Sequence, residues 1–434
     1  HRRRPDEIPA QPPPVDQMRP PRLRKSLTVN AVSLMTATVA TNAFGLGFWV
    51  VAAHLKPPGQ VGRAAAAVAA LTLLATIAQL NLTNVFIRLL PTAGRIGKQL
   101  ISRGYLAVAG FAVAIGIVYV VSGLSASVLS ADWGTRALFV VAVPILAIFA
   151  LQDSVLTALR LAPWVPVENV SFAVSKLALL PLLALLAGEG GIVLSWVLPA
   201  AVCVIVVHQL LFRRVLPTLE GTDGTLPGRR RLLSFVAGEY VGNICATATI
   251  QLMPLLIIWR LGPAAAAYFT LPWLISMGIS FLMWNVSSSL VVEIAGSHAR
   301  HDELIRRSLL LWAAIVLGAL LVCVIGAHPL LELAGAGYAA HGTTLLRLVG
   351  LSTPFGAVVA LYSTLAWLDQ RVWLLAGFLA VSGVALLATT LVLLPDLGLV
   401  AVGWANLGTQ AAAASVMAPL VARRLRQGQL VDAR

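Results

Sequence analysis

Twelve long apolar runs joined by short loops account for nearly all of the chain after residue 26. They lie near 27–53, 64–90, 100–123, 136–159, 166–187 and 191–212, then 232–259, 264–292, 305–328, 343–368, 372–394 and 398–422. Each is long enough, as a helix, to cross a hydrocarbon core about 30 Å thick. The expected fold is therefore all-α: a polytopic membrane protein with twelve transmembrane helices. Composition agrees, since a soluble body of 434 residues could not hide a chain that is 59% hydrophobic and 11% charged.

The charges fix an orientation. With the N-terminus cytoplasmic, 25 of the 31 Lys and Arg fall on that side, and the opposite loops keep only Lys56, Arg63, Arg136 and Arg260. Both termini are expected in the cytoplasm of a cell-membrane protein. A net charge of +14 suits an anionic membrane surface better than nucleic acid, because the basic residues sit between apolar segments. Residues 1–25 form a Pro-rich, basic tail expected to be disordered. No cleavable signal peptide is evident.

The halves repeat. Sliding the chain by about 206 residues lays spans 1 to 4 on spans 7 to 10. HLKPPGQVGRAAAAV then matches RLGPAAAAYFTLPW, and GIVLSW from Gly191 matches GLVAVGW from Gly398. The expected organisation is two parallel six-helix repeats, 26–212 and 232–422, joined by a basic linker at 213–231 and followed by a cytoplasmic tail at 423–434.

Span 7 opens the second repeat and carries Glu239, Asn243, Thr247 and Gln251 at steps of four. Such a step drifts only about 40° on a helix, so the four form one slanting polar stripe. It reads either as a hydrogen-bonded helix contact or as the wall of a hydrophilic cavity. Asn81, Asn84 and Arg88 recur at roughly helical spacing along span 2, with Arg88 either an interfacial anchor or a headgroup contact. Asn30, Ser33 and Thr41 of span 1 fall on the face that the repeat matches to the stripe. Trp284, Asn285 and Ser288 of span 8 could stack on and hydrogen-bond a sugar, or pack in the bundle. Asp153 and Lys176, on consecutive antiparallel spans, read as a buried ion pair or as groups for ion coupling. Glu168 and Glu293 read as interfacial, and His208 as a packed side chain. Cys203, Cys245 and Cys323 lack metal-ligand spacing, and no cofactor is expected.

Leu55, Pro57 and Gly62 after span 1, Leu261-Gly262-Pro263 in the second half, IRLLP from Ile87 to Pro91, and the Gly-to-Trp segment that closes each half (G-x-x-x-x-W at Gly191–Trp196, one residue longer at Gly398–Trp404) form a recognisable pattern. Over about residues 24–426 the chain resembles the polysaccharide-transporter branch, the lipid-linked oligosaccharide flippases, of the multidrug/oligosaccharidyl-lipid/polysaccharide (MOP) exporter superfamily. The resemblance implies a V-shaped, MOP/MATE-like pair of six-helix lobes, with spans 1, 2, 7 and 8 lining a central cavity. It also implies alternating access, a polyprenyl-diphosphate-linked glycan as substrate, and membrane lipids and glycan-assembly enzymes as partners. The chain departs from the peptidoglycan-precursor flippases, which normally have fourteen spans. It also shows fewer acidic residues within its lobes than drug exporters usually do. A cation-coupled multidrug exporter is the alternative. A membrane-embedded glycosyltransferase or polymerase is a more distant one, since the outer loops are short and carry only Asp132, Glu189, Glu332 and Asp396.

Overall fold

The computed structural model describes residues 40–219, 229–296, 301–368 and 372–427. Among these, the first group of helices is α1 (Ala40–Leu55), α2 (Pro58–Ala78), α3 (Leu82–Ala93), α4 (Gly97–Val121), α5 (Trp133–Ala158), α6 (Trp164–Leu186) and α7 (Gly191–Leu210). The second is α8 (Arg229–Leu261), α9 (Pro263–Gly296), α10 (His301–Leu320), the short α11 (Ala327–Glu332), α12 (Ala336–Leu368), α13 (Val372–Leu397) and α14 (Val400–Gln427). No strand occurs among the described residues.

Ten helical segments among the described residues are long and apolar enough to cross a membrane. Helix α1 covers the described part of the first expected span, and α14 covers the twelfth. The amides and terminal arginines of α14 make it more polar than its neighbours. Large apolar side chains such as Leu106, Val121, Leu185, Ile325 and Val392 stay exposed. Water would disfavour that surface, but lipid tails match it.

Helices pack mainly within their own half. In the first, α4 lies on α5, and both α5 and α6 lie on α7. In the second, α12 packs against α9 and α14, and α13 against α8 and α14. The halves meet where α2 packs on α8 and α9, and an apolar cluster with Phe48, Leu71, Ile257 and Phe269 runs through that contact.

The two matched turns explain part of the repeat motif. Helix α8 ends at Leu261, Gly262 takes φ +86°, and Pro263 starts α9. A glycine ends a helix in the left-handed region without a Cβ clash, and a proline opens the next because its missing N–H is not needed there. Helix α2 likewise starts on Pro58. The turns also touch: a Cβ on Gly62 would overlap the carbonyl of Pro263 and lie 2.9 Å from the amide nitrogen of Ala267. Gly62 therefore lets two helix backbones meet directly.

The second span departs from a single helix. Helix α2 stops at Ala78, Leu80 and Asn81 adopt φ +49° and +57°, and α3 restarts at Leu82. Its repeat partner α9 runs unbroken for 34 residues. Asn81 supplies a local reason, because asparagine enters the left-handed region more readily than other side chains with a Cβ.

Candidate functional site

The seam between the halves holds several of the residues singled out above. Where α2 breaks, the Ile77 carbonyl accepts the Leu80 amide at 3.3 Å and keeps a second lone pair free of the helix ladder. The phenol of Tyr240 on α8 donates to it at 2.8 Å, joining the two halves. Thr247 and Gln251 stand seven and eleven residues after Tyr240, so all three share one face of α8 within about 20°. At Tyr240 that face is turned toward α2. Both are half-buried, whereas Asn243 is exposed. Glu239 lies in α8, but its side chain is outside the described residues, as are Asn30 and Ser33 altogether. Thr41 sits half-buried in the first turn of α1.

Asn81, Asn84 and Arg88 do not continue one helix. Asn81 is buried at the break, and Asn84 on α3 donates its amide to the Asn81 side-chain oxygen at 2.9 Å. Arg88 is exposed on α3. On α9, Trp284 is half exposed and Asn285 half-buried.

The expected pairing of Asp153 with Lys176 is not what forms. The Asp153 carboxylate accepts the amide of Asn169, at 3.2 Å to each oxygen. Lys176 is buried with its ammonium over three rings: Trp196 at 3.8 Å from the centroid, Phe172 at 4.9 Å and Phe48 at 5.6 Å. Among the described residues no ion pair joins the two. Register is the reason. The turn between α5 and α6 centres on Leu161, and Asp153 and Asn169 are equally far from it along the chain. Lys176 stands seven residues deeper, about 10 Å at 1.5 Å per residue. A desolvated cation over aromatic faces gains about 2 kcal/mol or more, which partly replaces the missing counter-ion.

Glu168 also differs from expectation. It is only 5% exposed rather than interfacial, and neither carboxylate oxygen has a hydrogen-bond partner among the described residues. Asp153 and the buried Tyr105 lie within electrostatic reach of it. The first half thus buries a carboxyl group and a lysine and half-buries a second carboxyl group, Asp153. His208 is exposed rather than packed in the bundle, with its ring stacked on Phe212 at 4.2 Å. Arg347 donates to the Val324 carbonyl at 3.2 Å.

Beyond Trp284 and Ser288, sequence reasoning missed the polar interior of the second half. A cavity of about 150 Å³ lies between α8, α9, α12 and α14, lined by Thr249, Trp273, Ser280, Ser352, Asn406 and Gln410 among others. A second, of about 230 Å³, continues along α9 and α12 past Trp284 and Thr364, sharing Ser280 and Gln410 with the first. Among the described residues no charged side chain lines either. The available signal was the density of Ser, Thr and amides on spans 8, 10 and 12, but helical spacing alone does not show that these faces converge.

No family model and no curated protein matches the chain. Solved structures do. An inward-facing multidrug resistance MATE-family transporter of the MOP superfamily aligns at TM-score 0.63 and 14% identity, over 93% of this chain and all of that one. The chain has the fold of the MATE transporters of the MOP superfamily. The multidrug transporter DinF-BH, solved with a bound ligand, aligns at TM-score 0.59 and 17% identity, over 93% of this chain and 95% of that one. A MOP superfamily transporter from Pyrococcus furiosus Vc1 (DSM3638), described as having a binding pocket of reversed polarity that suggests a different function, aligns at 0.58 and 16% over the same shares. All are transporters by description. The twelve-span reading and the two-lobe architecture agree with this fold.

Proposed function

We propose that the chain is a flippase that moves a polyprenyl-diphosphate-linked oligosaccharide or polysaccharide precursor across the cell membrane by alternating access. It is a multi-pass protein with both termini cytoplasmic, acts as a carrier rather than an enzyme, and works beside the enzymes that assemble the glycan. The observation that carries this reading is the chemistry of the polar side chains that α3 and α8 carry. Asn84, Arg88, Asn243, Thr247 and Gln251 offer amides, a hydroxyl and one guanidinium, and Glu239 is the only carboxylate of its stripe. Sugar hydroxyls suit the amides, and a diphosphate suits Arg88. An inside-negative potential drives an anionic headgroup outward by about 2.3 kcal/mol per charge per 100 mV.

The second reading is a cation-coupled drug exporter. The buried Glu168 and the half-buried Asp153 favour it, because carboxyl groups within a span are costly and often functional. The test is transport by the purified chain in vesicles. Translocation of a labelled lipid-linked glycan, reduced at least tenfold by Arg88→Gln in a protein of normal melting temperature, is the expected result. Gradient-driven uptake of a cationic dye, with no movement of any lipid-linked glycan, would establish the exporter instead.

A further inference from the structure

The smaller cavity of the second half has an uneven supply of hydrogen-bonding groups. A hydroxyl has one proton to donate and two lone pairs to accept with. Thr249, Ser280 and Thr353 each give that proton to a carbonyl of their own helix, and so does Ser352. Asn406 gives one amide hydrogen to the Ser352 oxygen at 2.8 Å. These walls therefore present mostly lone pairs. The donors left over are few: the Ser276 hydroxyl, which makes no hydrogen bond among the described residues, and three nitrogen groups. The Trp273 indole N–H is buried, in a side chain only 7% exposed, and has no partner among the described residues. The Gln410 amide makes no hydrogen bond among the described residues, and Asn406 keeps its second amide hydrogen.

Charge narrows the ligand further. An anion would need a cation or a fan of donors, and a cation would need a carboxylate. Among the described residues the lining has neither. Bringing a charge into such a place without a partner costs several kcal/mol. An uncharged hydroxyl group both donates and accepts, so it can meet the lone pairs of Ser280 and Ser352 and take a proton from Trp273 or Gln410. A cavity of about 150 Å³ is of the size that admits one six-membered ring. That holds one sugar ring, not an extended chain. The adjoining cavity, with the half-exposed Trp284, gives a connected glycan room to continue.

We propose that this cavity binds an uncharged sugar ring, with Trp273, Ser352, Asn406 and Gln410 as its polar contacts and the cavity past Trp284 as the path of the attached chain. Taking that ring to be part of the transported lipid rests on the function proposed above. The existence of the site does not.

The test uses the full chain in nanodiscs, titrated with a panel of neutral mono- and oligosaccharides, their uronic acid counterparts, inorganic pyrophosphate and a cationic rhodamine dye, and read by calorimetry. At least one neutral saccharide should bind saturably, at least tenfold more tightly than its uronic acid. Trp273→Phe, which keeps the ring and removes the N–H, and Gln410→Leu should each weaken it tenfold or more. If Gln410→Leu lowers the melting temperature, Trp273→Phe alone decides. No binding by any neutral saccharide, binding unchanged in Trp273→Phe, or competition won by the dye or pyrophosphate would overturn the site. A labelled lipid-linked glycan flipped by a protein that binds no saccharide here sinks the site and spares the function. Saccharide binding without flipping does the reverse.

Discussion

The two halves share a plan of six spans and differ in how they carry polarity. The first sinks ionisable groups into its interior: Lys176 under three rings, Glu168 with no hydrogen-bond partner among the described residues, and the half-buried Asp153 on an asparagine. The second lines cavities with hydroxyls and amides, and among the described residues no charge lines them. The first also breaks its second span at Leu80 and Asn81, where the second keeps one long helix. A repeated architecture therefore does not imply a repeated site. A buried charge without a partner is worth keeping only if it acts, whereas self-bonded hydroxyls cost little to bury.

The sharpest way to break this contrast is to reverse the sign at Lys176. Lys176→Glu sets a carboxylate against the negative faces of Phe48, Phe172 and Trp196, and should lower stability by about 3–5 kcal/mol or abolish expression. Lys176→Met fills the same space without charge and should retain the fold. Both are read by thermal unfolding of the purified chain. If the two behave alike, the aromatic cage does not hold a charge.

Double-mutant cycles test the partners within the first half. Asp153→Asn and Lys176→Met should add within about 0.5 kcal/mol, because they do not touch. Asp153→Ala and Asn169→Ala should couple by about 1 kcal/mol or more. Coupling between Asp153 and Lys176 instead would restore the ion pair.

At the seam, Gly62→Ala pushes a Cβ into Pro263 and should cost about 1–3 kcal/mol through overpacking. The control is Gly278→Ala on α9, where a Cβ would meet nothing within 4 Å. Equal losses in thermal unfolding would remove Gly62 from the contact.

The smallest expected effect is at the start of α5. Asp132 caps it by accepting the Thr135 backbone amide at 2.9 Å, and that bond holds its carboxyl below the usual carboxylate range. The matched helix α12 follows Gly335 with no such acid. A lowered folded-state value means the cap contributes above the ordinary carboxylate range and is lost as pH falls through the lowered one. The gap in melting temperature between wild type and Asp132→Ala should therefore be present at neutral pH and close in acid.

The spans, the repeat and the turns were legible because each depends on composition or on a short local pattern. The Leu261-Gly262-Pro263 turn is a helix stop followed by a helix start, and both signals lie within three residues. The charges were misjudged because their partners depend on register between helices. A shift of seven residues moved Asn169 to where Lys176 was expected. The cage could not be read at all, since Phe48, Phe172 and Trp196 come from three helices that only packing brings together. The break in span 2 had a faint signal in Asn81 and Asn84, but helical spacing absorbed it as a continuous stripe.

The contact at Gly62 has a mechanical consequence. It is a fulcrum of backbone against backbone, with no side chain to flex, at one end of α2. Ile77 lies fifteen residues along the same rod, about 22 Å away. Tilting α2 by about 10° around Gly62 would swing Ile77 through about 4 Å, farther than any hydrogen bond stretches. The bond from Tyr240 to Ile77 is then a latch on a long lever, and its making or breaking registers rotations of a few degrees between the halves.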